Sequence, residues 1–453
     1  MVKISIPSGA GEIISRLQHS GHEAYIVGGC VRDSILGVAP KDWDVCTSAR
    51  PEEVMKIFSD KRVIETGLKH GTVTILCDDD QYEVTTYRID GEYTDGRRPD
   101  SVMFTASLED DLSRRDFTIN AMAYNDQSGL VDPFGGMDDL KEKVIRCVGD
   151  PMARFEEDAL RILRAVRFAA TIGFSVETNT SGAMFNLREK LCRISSERIC
   201  AELSKIVVAP FSMFALTHFH YVITTIIPEF CPCYHFAQNN IYHVFDVYQH
   251  TCVAVWMNRS GDPAVALALL LHDIGKPDCY TEDETGGHFY HHAARSRELA
   301  ADILRRLRFD NKTIGDVLEL IEYHDATILP TTKHIRRWLG WIGEDQLRRL
   351  IDMRKADILA QSWYKKTDRL YECDAALQVL DAVIAENQCF SLKDLAVNGH
   401  DLMGVGIPHG KHIGTILNYL LGRVVDEEIE NDKVALLGEA RLLYSVADKW
   451  AEA

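Results

Sequence analysis

The stretch GGCVRDSILGVAPKDWDV, residues 28–45, decides the fold of the first third of this 453-residue chain. The apolar run AYIV immediately before it predicts a buried strand, and VRDSILG within it predicts a helix. Gly28 and Gly29 therefore lie at a strand-to-helix turn, where backbone N–H groups and the helix N-terminus favour an anion. Arg32, one turn into the helix, is placed to add a forked contact to a phosphate. The alternative interpretation is an ordinary tight turn.

Two acidic residues follow the helix in the segment KDWDVCT, residues 41–47. On a strand, residues two apart face the same side of the sheet, so Asp42 and Asp44 are predicted to converge. Convergent carboxylates repel each other unless a cation lies between them, and Mg²⁺ prefers oxygen ligands together with substrate phosphates. Glu83, in the strand-like segment YEVTTYR, is a candidate third carboxylate. A solvated pair of surface acids is the alternative.

The pattern along the whole chain predicts an α+β fold. Roughly the first 145 residues mix short β-rich runs with helical stretches, and the sequence beyond about residue 150 is almost wholly helical in pattern. These changes divide the chain into residues 1–145, 146–235, 236–368 and 369–453. Hydrophobic residues make up 46% and charged residues 26%, a balance that excludes a disordered or fibrous protein.

The net charge of −18, from 50 basic and 68 acidic residues, at first argues against a nucleic-acid partner. The acids are unevenly distributed, however: residues 367–453 carry 7 Lys and Arg against 15 Asp and Glu, whereas residues 154–205 carry 9 against 7. The charge therefore predicts salt-sensitive RNA binding confined to a basic track. Scattered cysteines, an N-terminus unlike a signal peptide and no apolar run longer than residues 264–271 predict a cytoplasmic protein without a membrane span.

Four segments together resemble one enzyme family. They are residues 28–45, RRDFTINAMAY at 114–124, RFEEDALRILRAVRFAA at 154–170 and SSERICAEL at 195–203. In this order they resemble the bacterial class II tRNA nucleotidyltransferases, the family of CCA-adding enzymes and poly(A) polymerases. The resemblance implies tRNA, CTP and ATP as partners.

The same resemblance implies a domain order. A nucleotidyltransferase palm-type head, with a mixed sheet and helices, is expected over residues 1–145. An all-α remainder follows, with a neck and body that select nucleotides and bind RNA over 146–235 and a tRNA-contacting tail over 369–453. In the tail, Gly406 and Gly410 are expected to permit a tight turn before a helix that offers N–H groups to an RNA phosphate. An ordinary helical hairpin is the alternative there.

Base selection is assigned by resemblance to the segment EDALR, residues 157–161. Asp158 and Arg161 stand three apart and are expected to share one face of a helix. Cytosine and adenine both present an amino donor beside an unprotonated ring nitrogen, so a neighbouring carboxylate and guanidinium fit them and reject guanine and uracil. Arg164 and Arg167, further along that face, are expected to meet the triphosphate or the sugar. The alternative is a solvated amphipathic helix with ion pairs within itself.

The segment RRDFTINA is expected to order the nucleotide site. By resemblance, Arg115, Asp116 and Asn120 handle the ribose, since a carboxamide can hydrogen-bond a ribose hydroxyl. A capping or buried structural Asn is the alternative. The expected reaction is in-line attack of the tRNA 3′-hydroxyl on the α-phosphate of CTP or ATP, with release of pyrophosphate. Asp42 and Asp44 are the expected catalytic carboxylates and Mg²⁺ ligands.

The choice of nucleotides depends on a loop after the third strand. The family's flexible loop is matched here by residues 88–104, and enzymes limited to CC addition typically lack it. GLKHGTVTIL, residues 67–76, also looks like CCA-adding members rather than poly(A) polymerases. Complete CCA addition is therefore favoured over A-only tRNA adenylyltransferase and poly(A) synthesis. Two alternatives come from other classes: a metal-dependent phosphohydrolase with a non-catalytic RNA-binding head, and a non-catalytic RNA-binding protein.

A histidine-rich block, residues 236–368, resembles the HD phosphohydrolase superfamily. Its imidazoles and carboxylates suit divalent transition metals, and an adjacent His-Asp pair allows the Asp to bridge two ions. His291 replaces the Gly of the superfamily's GH motif, which puts the local turn in question. The resemblance suggests phosphate removal from damaged RNA ends as a second activity, and a metal-free scaffold is the alternative. The predicted ligands are His250, His272, Asp273, His292, His324 and Asp357.

Overall fold

The computed structural model of the protein describes residues 2–77, 80–90 and 102–451. These residues form two compact units, the first ending at Pro228 and the second beginning at Glu229. The finer division into four domains stays a prediction.

The first unit combines a mixed sheet with helices. Its elements in chain order are α1 (Ser8–His19), β1 (Ala24–Val27), α2 (Gly29–Ile35), β2 (Val45–Thr47), α3 (Pro51–Ile57), β3 (Val63–Gly67), β4 (Thr72–Cys77), β5 (Asp80–Thr86), β6 (Arg88–Asp90), β7 (Val102–Phe104), α4 (Leu108–Ser113), β8 (Ala123–Asn125), β9 (Gly129–Val131), α5 (Gly136–Glu142), β10 (Val144–Ile145), α6 (Pro151–Glu157), α7 (Leu160–Ile172), β11 (Ser175–Val176), α8 (Thr178–Leu187), α9 (Ser196–Val207), α10 (Ser212–His218) and α11 (His220–Ile226).

The second unit is almost entirely helical. Its elements are α12 (Val247–Met257), α13 (Pro263–Leu271), β12 (Thr281–Asp283), β13 (Gly286–His288), α14 (His292–Arg306), α15 (Asn311–Tyr323), α16 (Thr332–Ala360), α17 (Lys366–Ala385), α18 (Gly399–Gly404), α19 (Lys411–Val425) and α20 (Lys433–Ala451). The predicted α+β fold, with a mixed sheet followed by helices, is confirmed.

The main sheet has seven strands in the order β3-β4-β5-β2-β1-β8-β9. β1 pairs antiparallel with both β2 and β8, while β2 runs parallel to β5 with Val45 beside Val84. All four residues of β1 are buried, as the run AYIV predicts, and α2 follows directly from it. The sequence from β1 through α2 to β2 therefore forms the centre of the sheet and one helix beside it.

Asp42 and Asp44 lie just before β2 and not on a strand, which corrects the prediction. The regular strand begins at Val45, where the sequence turns apolar. The carbonyl oxygen of Asp44 nevertheless accepts a hydrogen bond from the Val27 N–H at 3.0 Å. The chain is therefore already held against β1 at Asp44, although both aspartates are exposed.

The prediction of one helix through residues 157–161 is also wrong, because the helix is interrupted at Asp158. α6 ends at Glu157, and Asp158 adopts extended backbone angles (φ −147°, ψ 100°). The Asp158 carboxylate accepts a hydrogen bond from the Leu160 N–H at 3.0 Å. Aspartate side chains often bond backbone N–H groups in this way, which competes with a continuous helix. A second helix, α7, then begins at Leu160.

α7 is buried on nearly all sides, so the alternative of a solvated amphipathic helix is wrong. The Phe168 ring packs edge-to-face on the Phe117 ring, with 5.7 Å between centroids. The α7 arginines at 164 and 167 remain half-buried and reach other elements of the first unit.

In the second unit, α13 is a run of buried apolar residues between α12, α15 and α16. α16 is interrupted at Gly343, whose φ of 79° is unfavourable for other residues. The tail packs α18, α19 and α20 around Leu402, Leu420 and Leu436. Within the described residues, no helix has the length and apolar character needed to cross a membrane, and all twelve cysteines are free thiols.

Candidate functional site

The turn between β1 and α2 requires glycine at its first position. Gly28 has φ 80° and donates its N–H to the Met122 carbonyl at 3.1 Å. A Cβ at this position would lie 2.9 Å from Nη1 of Arg115. Gly28 is therefore needed both for its backbone conformation and because a guanidinium packs directly against it.

Three carboxylates are grouped at the start of β2. Since Val45 lies beside Val84 in parallel strands, Asp44 and Glu83 precede them in adjacent positions. Reduced hydration raises the pKa of Asp44, the Glu83 and Asp42 carboxylates raise it further, and Arg115 partly opposes them. Such an increase is expected where like charges share a site that a cation would neutralise. The ligand atoms of Asp42, Asp44 and Glu83 do not all lie within 4.8 Å of one another.

Arg115 is held by a residue that the sequence interpretation missed. Asp111 is fully buried and accepts hydrogen bonds from Arg114 Nε at 3.0 Å and from Arg115 Nη2 at 3.3 Å. The spacing of Asp111 and Arg115, four apart at the end of α4, was the signal available in the sequence. Arg115 thus lies between Asp111 and the exposed carboxylates, with Gly28 beside it.

A chain of hydrogen bonds joins four of the predicted nucleotide-site residues. Nη1 of Arg32 donates to Oδ1 of Asn120, whose Nδ2 donates to Oδ1 of Asp116 at 3.1 Å. Oδ2 of Asp116 accepts from Nε of Arg164 at 2.8 Å. Burial opposes the charge on Asp116, but Arg164 and Asn120 outweigh it and lower its pKa to about 2. Arg32 also pairs with Asp33, so in this structure both sides of its guanidinium have protein partners.

Phe168 lies at the centre of these arginines. The Cζ atoms of Arg32, Arg164 and Arg167 lie 5.1, 5.7 and 4.1 Å from the centre of its ring. Arg167 in turn donates from Nε to Glu202 on α9 at 2.5 Å. The Phe168 ring and the partner carboxylates allow these three guanidinium groups to lie close together, beside residues 114–116.

Asp158 and Arg161 do not share a helix face, because the break after α6 separates them. Arg198, which the sequence interpretation did not single out, donates hydrogen bonds to the Asp158 carboxylate from Nη1 at 3.2 Å and from Nη2 at 2.6 Å. Arg161 instead donates to Glu157 at 2.6 Å and to the carbonyl of Arg114 at 3.2 Å. Both proposed base-reading groups are therefore paired within the protein, close to the RRD segment.

The six residues predicted as metal ligands come together in the second unit. The Nδ1 atoms of His272, His292 and His324 lie 2.8, 2.8 and 2.7 Å from the carbonyl oxygen three residues earlier in the chain. Each carbonyl accepts the Nδ1 proton, so in each neutral imidazole the Nε2 lone pair is directed into the cluster. This is the tautomer that metal-binding histidines adopt.

Asp273 lies between two groups of histidines. Its Oδ2 is 3.4 Å from Nε2 of His250 and 3.3 Å from Nε2 of His272, while its Oδ1 is 3.3 Å from Nε2 of His292. His324 completes the second group, with its Nε2 only 3.1 Å from that of His292. The ligand atoms within each group lie within 4.8 Å of one another, and both groups share Asp273.

The donor set fits divalent cations. Two imidazole lone pairs facing each other at 3.1 Å repel unless a proton or a metal lies between them. Neither Asp273 oxygen has a well-aligned hydrogen bond although both are buried, and Asp357 lies 2.9 Å from Nε2 of His250. Burial disfavours a charged His272, but Asp273 and Asp357 outweigh this and raise its pKa to about 10. The carboxylates thus favour positive charge at Nε2.

The cluster opens into a cavity of about 510 Å³. Lys276 lies 2.7 Å from Oδ2 of Asp273 and also contacts the cavity. His243 is a further, half-buried residue that the sequence interpretation missed; partial burial and the neighbouring Lys276 lower its pKa to about 2. His291, in place of Gly, takes the left-handed conformation (φ 65°, ψ 13°) before α14. The turn is therefore kept despite the substitution.

Comparison with known proteins agrees with the order of these sites. The family described as "Poly A polymerase head domain" matches residues 24–146. The family "Probable RNA and SrmB- binding site of polymerase A" matches residues 173–219. The family "tRNA nucleotidyltransferase domain 2 putative" matches residues 281–440.

Similarity to individual proteins extends over nearly the whole chain. The CCA-adding enzyme of Levilactobacillus brevis is 36% identical over 94% of this chain and 96% of its own length. The CCA-adding enzyme of Enterococcus faecalis is 31% identical over 97% of both chains. A crystal structure of the Bacillus stearothermophilus CCA-adding enzyme in complex with CTP superposes with a TM-score of 0.70 at 28% identity, covering 97% of this chain and 98% of that one. The protein therefore belongs to the CCA-adding enzymes, a family of class II tRNA nucleotidyltransferases.

Proposed function

We propose that this enzyme adds C, C and A to the 3′ end of tRNA, using CTP and ATP and releasing pyrophosphate. The observation that carries the proposal is the full-length similarity to CCA-adding enzymes together with the joined Arg32–Asn120–Asp116–Arg164 chain. These relatives do not favour A-only addition, poly(A) synthesis or a non-catalytic head. We propose a cytoplasmic location, because tRNA, CTP and ATP are present together there.

Asp42 and Asp44, with Glu83 beside them, are the residues that would hold Mg²⁺ in the head. When bound, Mg²⁺ lowers the pKa of an attacking hydroxyl and neutralises charge on the leaving pyrophosphate. Arg115, fixed by Asp111, supplies positive charge between these carboxylates and the Gly28 turn. The tRNA 3′-oxygen then forms a bond to the α-phosphorus as the bond to pyrophosphate breaks, and the hydroxyl proton is released to solvent.

Base selection is proposed for Asp158 and Arg161. Cytosine or adenine would take the place of their present partners, since its amino group donates to the carboxylate and its ring nitrogen accepts from the guanidinium. Arg198 and Glu157 keep the two groups charged and in place before a nucleotide arrives. The loop expected to separate CC from CCA addition, residues 88–104, includes residues 91–101, which lie outside the described residues. β6 and β7, on either side of them, pair antiparallel.

The test is extension of a tRNA lacking its last three nucleotides by purified protein with Mg²⁺, CTP and ATP. We expect C, C and A in that order, read by terminal-nucleotide analysis of the product. With ATP alone, a tRNA ending in CC should gain one A and no more. No extension of the tRNA lacking all three nucleotides, with one A added to the tRNA ending in CC, would reject CCA addition in favour of A-only addition. A run of A residues would reject it in favour of poly(A) synthesis.

A second activity is proposed for the histidine cluster, namely hydrolysis of a phosphate from an RNA 3′ end. The observation that favours it is that two groups of ligand atoms share Asp273 beside an open cavity. His250, His272, Asp273, His292, His324 and Asp357 would hold one or two divalent transition-metal ions. A water oxygen would bond to phosphorus, the bond to the ribose oxygen would break, and a proton from water would reach that oxygen. The product carries the 3′-hydroxyl that the head extends.

A further inference from the structure

An exposed surface of aromatic and basic side chains lies where α16 ends and α17 begins. Trp363 is the most exposed of the large hydrophobic side chains in the described residues, at 88%. Lys366 places its Nζ 4.9 Å from the centre of the indole ring. Most of this ring is therefore available to stack on a ligand. The Trp363 surface consists of Tyr242, Trp363, Tyr364, Lys365, Lys366 and Arg369.

The Trp363 surface is fixed to the rim of the histidine cavity. Tyr242 lines the cavity, and its ring packs edge-to-face on that of Tyr364 at 5.3 Å. The N–H of Ser362 donates to the Tyr242 carbonyl at 2.7 Å, and the Ser362 hydroxyl donates to the Ile241 carbonyl at 2.6 Å. The loop that carries Trp363 is thus bound to one wall of the cavity.

A second connection reaches the cluster itself. Gln361 also lines the cavity and donates from Nε2 to Oδ2 of Asp357 at 2.8 Å. Its Oε1 accepts a hydrogen bond from Nη1 of Arg369, whose Cζ lies 5.8 Å from the centre of the Tyr242 ring. The basic edge of the Trp363 surface is therefore one side chain away from a proposed metal ligand.

The composition of this surface matches single-stranded nucleic acid. Residues 363–369 hold three basic and one acidic side chain, a local charge of +2 in a chain of −18. Bases without a pairing partner stack on exposed aromatic rings, while Lys and Arg contact the phosphates between them. A cavity of about 510 Å³ is within the usual range for small-molecule sites, so it can admit a terminal nucleotide.

We propose that the Trp363 surface binds the single-stranded 3′ segment of an RNA whose terminal phosphate enters the histidine cavity. This inference rests on the phosphohydrolase activity proposed above for the same cavity, and it names the substrate. Bases upstream of the terminus stack on Trp363 and its neighbouring tyrosine rings. Lys365, Lys366 and Arg369 contact the phosphates. The surface thus selects an unpaired RNA strand over a free nucleotide.

The experiment compares two substrates of the full-length, metal-loaded protein. One is a twelve-nucleotide unpaired RNA with a 3′-phosphate, and the other is a nucleoside 3′-monophosphate. Phosphate release gives KM and kcat for each, and the fluorescence anisotropy of a 5′-labelled strand gives binding of the RNA. Neither substrate ends in the 3′-hydroxyl that the head extends, so nucleotide addition does not compete. A DNA strand of the same sequence with a 3′-phosphate forms the third arm.

Three variants isolate the indole ring. Trp363→Ala removes it, Trp363→Phe keeps an aromatic ring, and Trp341→Ala removes another exposed indole (67%) that is not among the described residues lining the cavity. For Trp363→Ala we expect KM for the RNA to rise about 5- to 100-fold, the range for losing one stacked base. KM and kcat for the mononucleotide should not change. Trp363→Phe should restore most of the loss, and Trp341→Ala should match the wild type.

The outcomes separate this inference from the activity on which it rests. If phosphate is released from both substrates and Trp363→Ala changes neither KM, the Trp363 surface is rejected while the hydrolase function stands. If no phosphate is released but the labelled RNA still binds the wild type and binds Trp363→Ala more weakly, the hydrolase function is rejected and the RNA surface stands. Tighter binding of the DNA strand would reject RNA as the occupant.

Discussion

The two candidate sites neutralise their charges in different ways. In the nucleotide-binding part of the head, Asp116 pairs with Arg164 and Asp158 pairs with Arg198. In the histidine cluster, three imidazole lone pairs and both oxygens of Asp273 face one another across short distances. A substrate that binds in the head must therefore replace protein groups that are already paired. A cation that binds in the cluster would instead be an additional partner for the facing donor atoms.

The largest expected effect concerns the exposed carboxylates of the head. Asp42→Ala should lower the rate of CTP and ATP addition about a thousandfold or more, because a Mg²⁺ ligand contributes several kcal/mol to the transition state. The melting temperature should not change, since Asp42 is exposed. Asp138→Ala, which removes an exposed acid on α5, is the matched control. Undiminished extension by Asp42→Ala would remove that residue from the catalytic assignment.

His272→Ala tests metal binding by the histidine cluster. Metal content, measured by mass spectrometry after dialysis, should fall because the ring supplies one ligand atom to the first group around Asp273. Affinity should drop at least tenfold, since even supporting residues contribute that much. Nucleotide addition by the head should continue at the wild-type rate. His334→Ala, a half-buried histidine of the same unit outside the cluster, is the control. Equal metal in His272→Ala and wild type would exclude the proposed site.

Variants of Arg161 and Arg198 distinguish a residue that contacts the base from one that positions Asp158. Arg161→Ala should relax discrimination against UTP and GTP about 5- to 150-fold, corresponding to roughly 1–3 kcal/mol for one donor–acceptor pair. Arg198→Ala should raise KM for CTP and ATP but keep their preference over UTP and GTP, because Arg198 contacts only the partner carboxylate. Single-nucleotide incorporation rates measure both. If Arg198→Ala relaxes discrimination and Arg161→Ala does not, the two roles are reversed.

The smallest effect is a pH dependence of stability in the head. Asp116 has a folded pKa of about 2 against 3.8 for the free side chain. A lowered folded pKa stabilises the protein fully above pH 4, and this contribution is lost as the pH falls from 4 to 2. It amounts to about 2 kcal/mol. The free energy of unfolding of wild type minus Asp116→Asn should therefore shrink over that window. A constant difference would show that the Arg164 pair does not cause the shift.

The sequence predicted well what depends on neighbours in the chain. The strand, glycine turn and helix around residues 24–35 are confirmed, because burial and backbone freedom are local there. The continuous helix through Asp158 was wrong, since helical periodicity runs on both sides and only one side chain–backbone bond breaks it. The partners of Asp158 and Asp116 are 40 and 48 residues away, so their pairing depended on packing that the sequence does not display.

In the histidine block, by contrast, the sequence motif linked residues that are far apart in the chain. Its six ligands are spread over 108 positions, from 250 to 357, yet the structure brings them together, and their metal-binding role stays a prediction. The sequence did not indicate His243, because this residue lies in an irregular segment without a motif. Only the fold brings the centre of its ring within 4.9 Å of the centre of the His250 ring. Likewise nothing in the local pattern signals that Trp363 stays exposed.

The bonds from Nδ1 to carbonyls three residues earlier have a consequence for metal exchange. Each imidazole of His272, His292 and His324 is fixed by its own stretch of chain, so its rotamer does not depend on an ion. Little ordering entropy is then lost when a metal arrives, and little strain is released when it leaves. On the metal-binding role proposed above, ions of similar size would replace one another without refolding. Supply and ligand chemistry would then govern which metal binds.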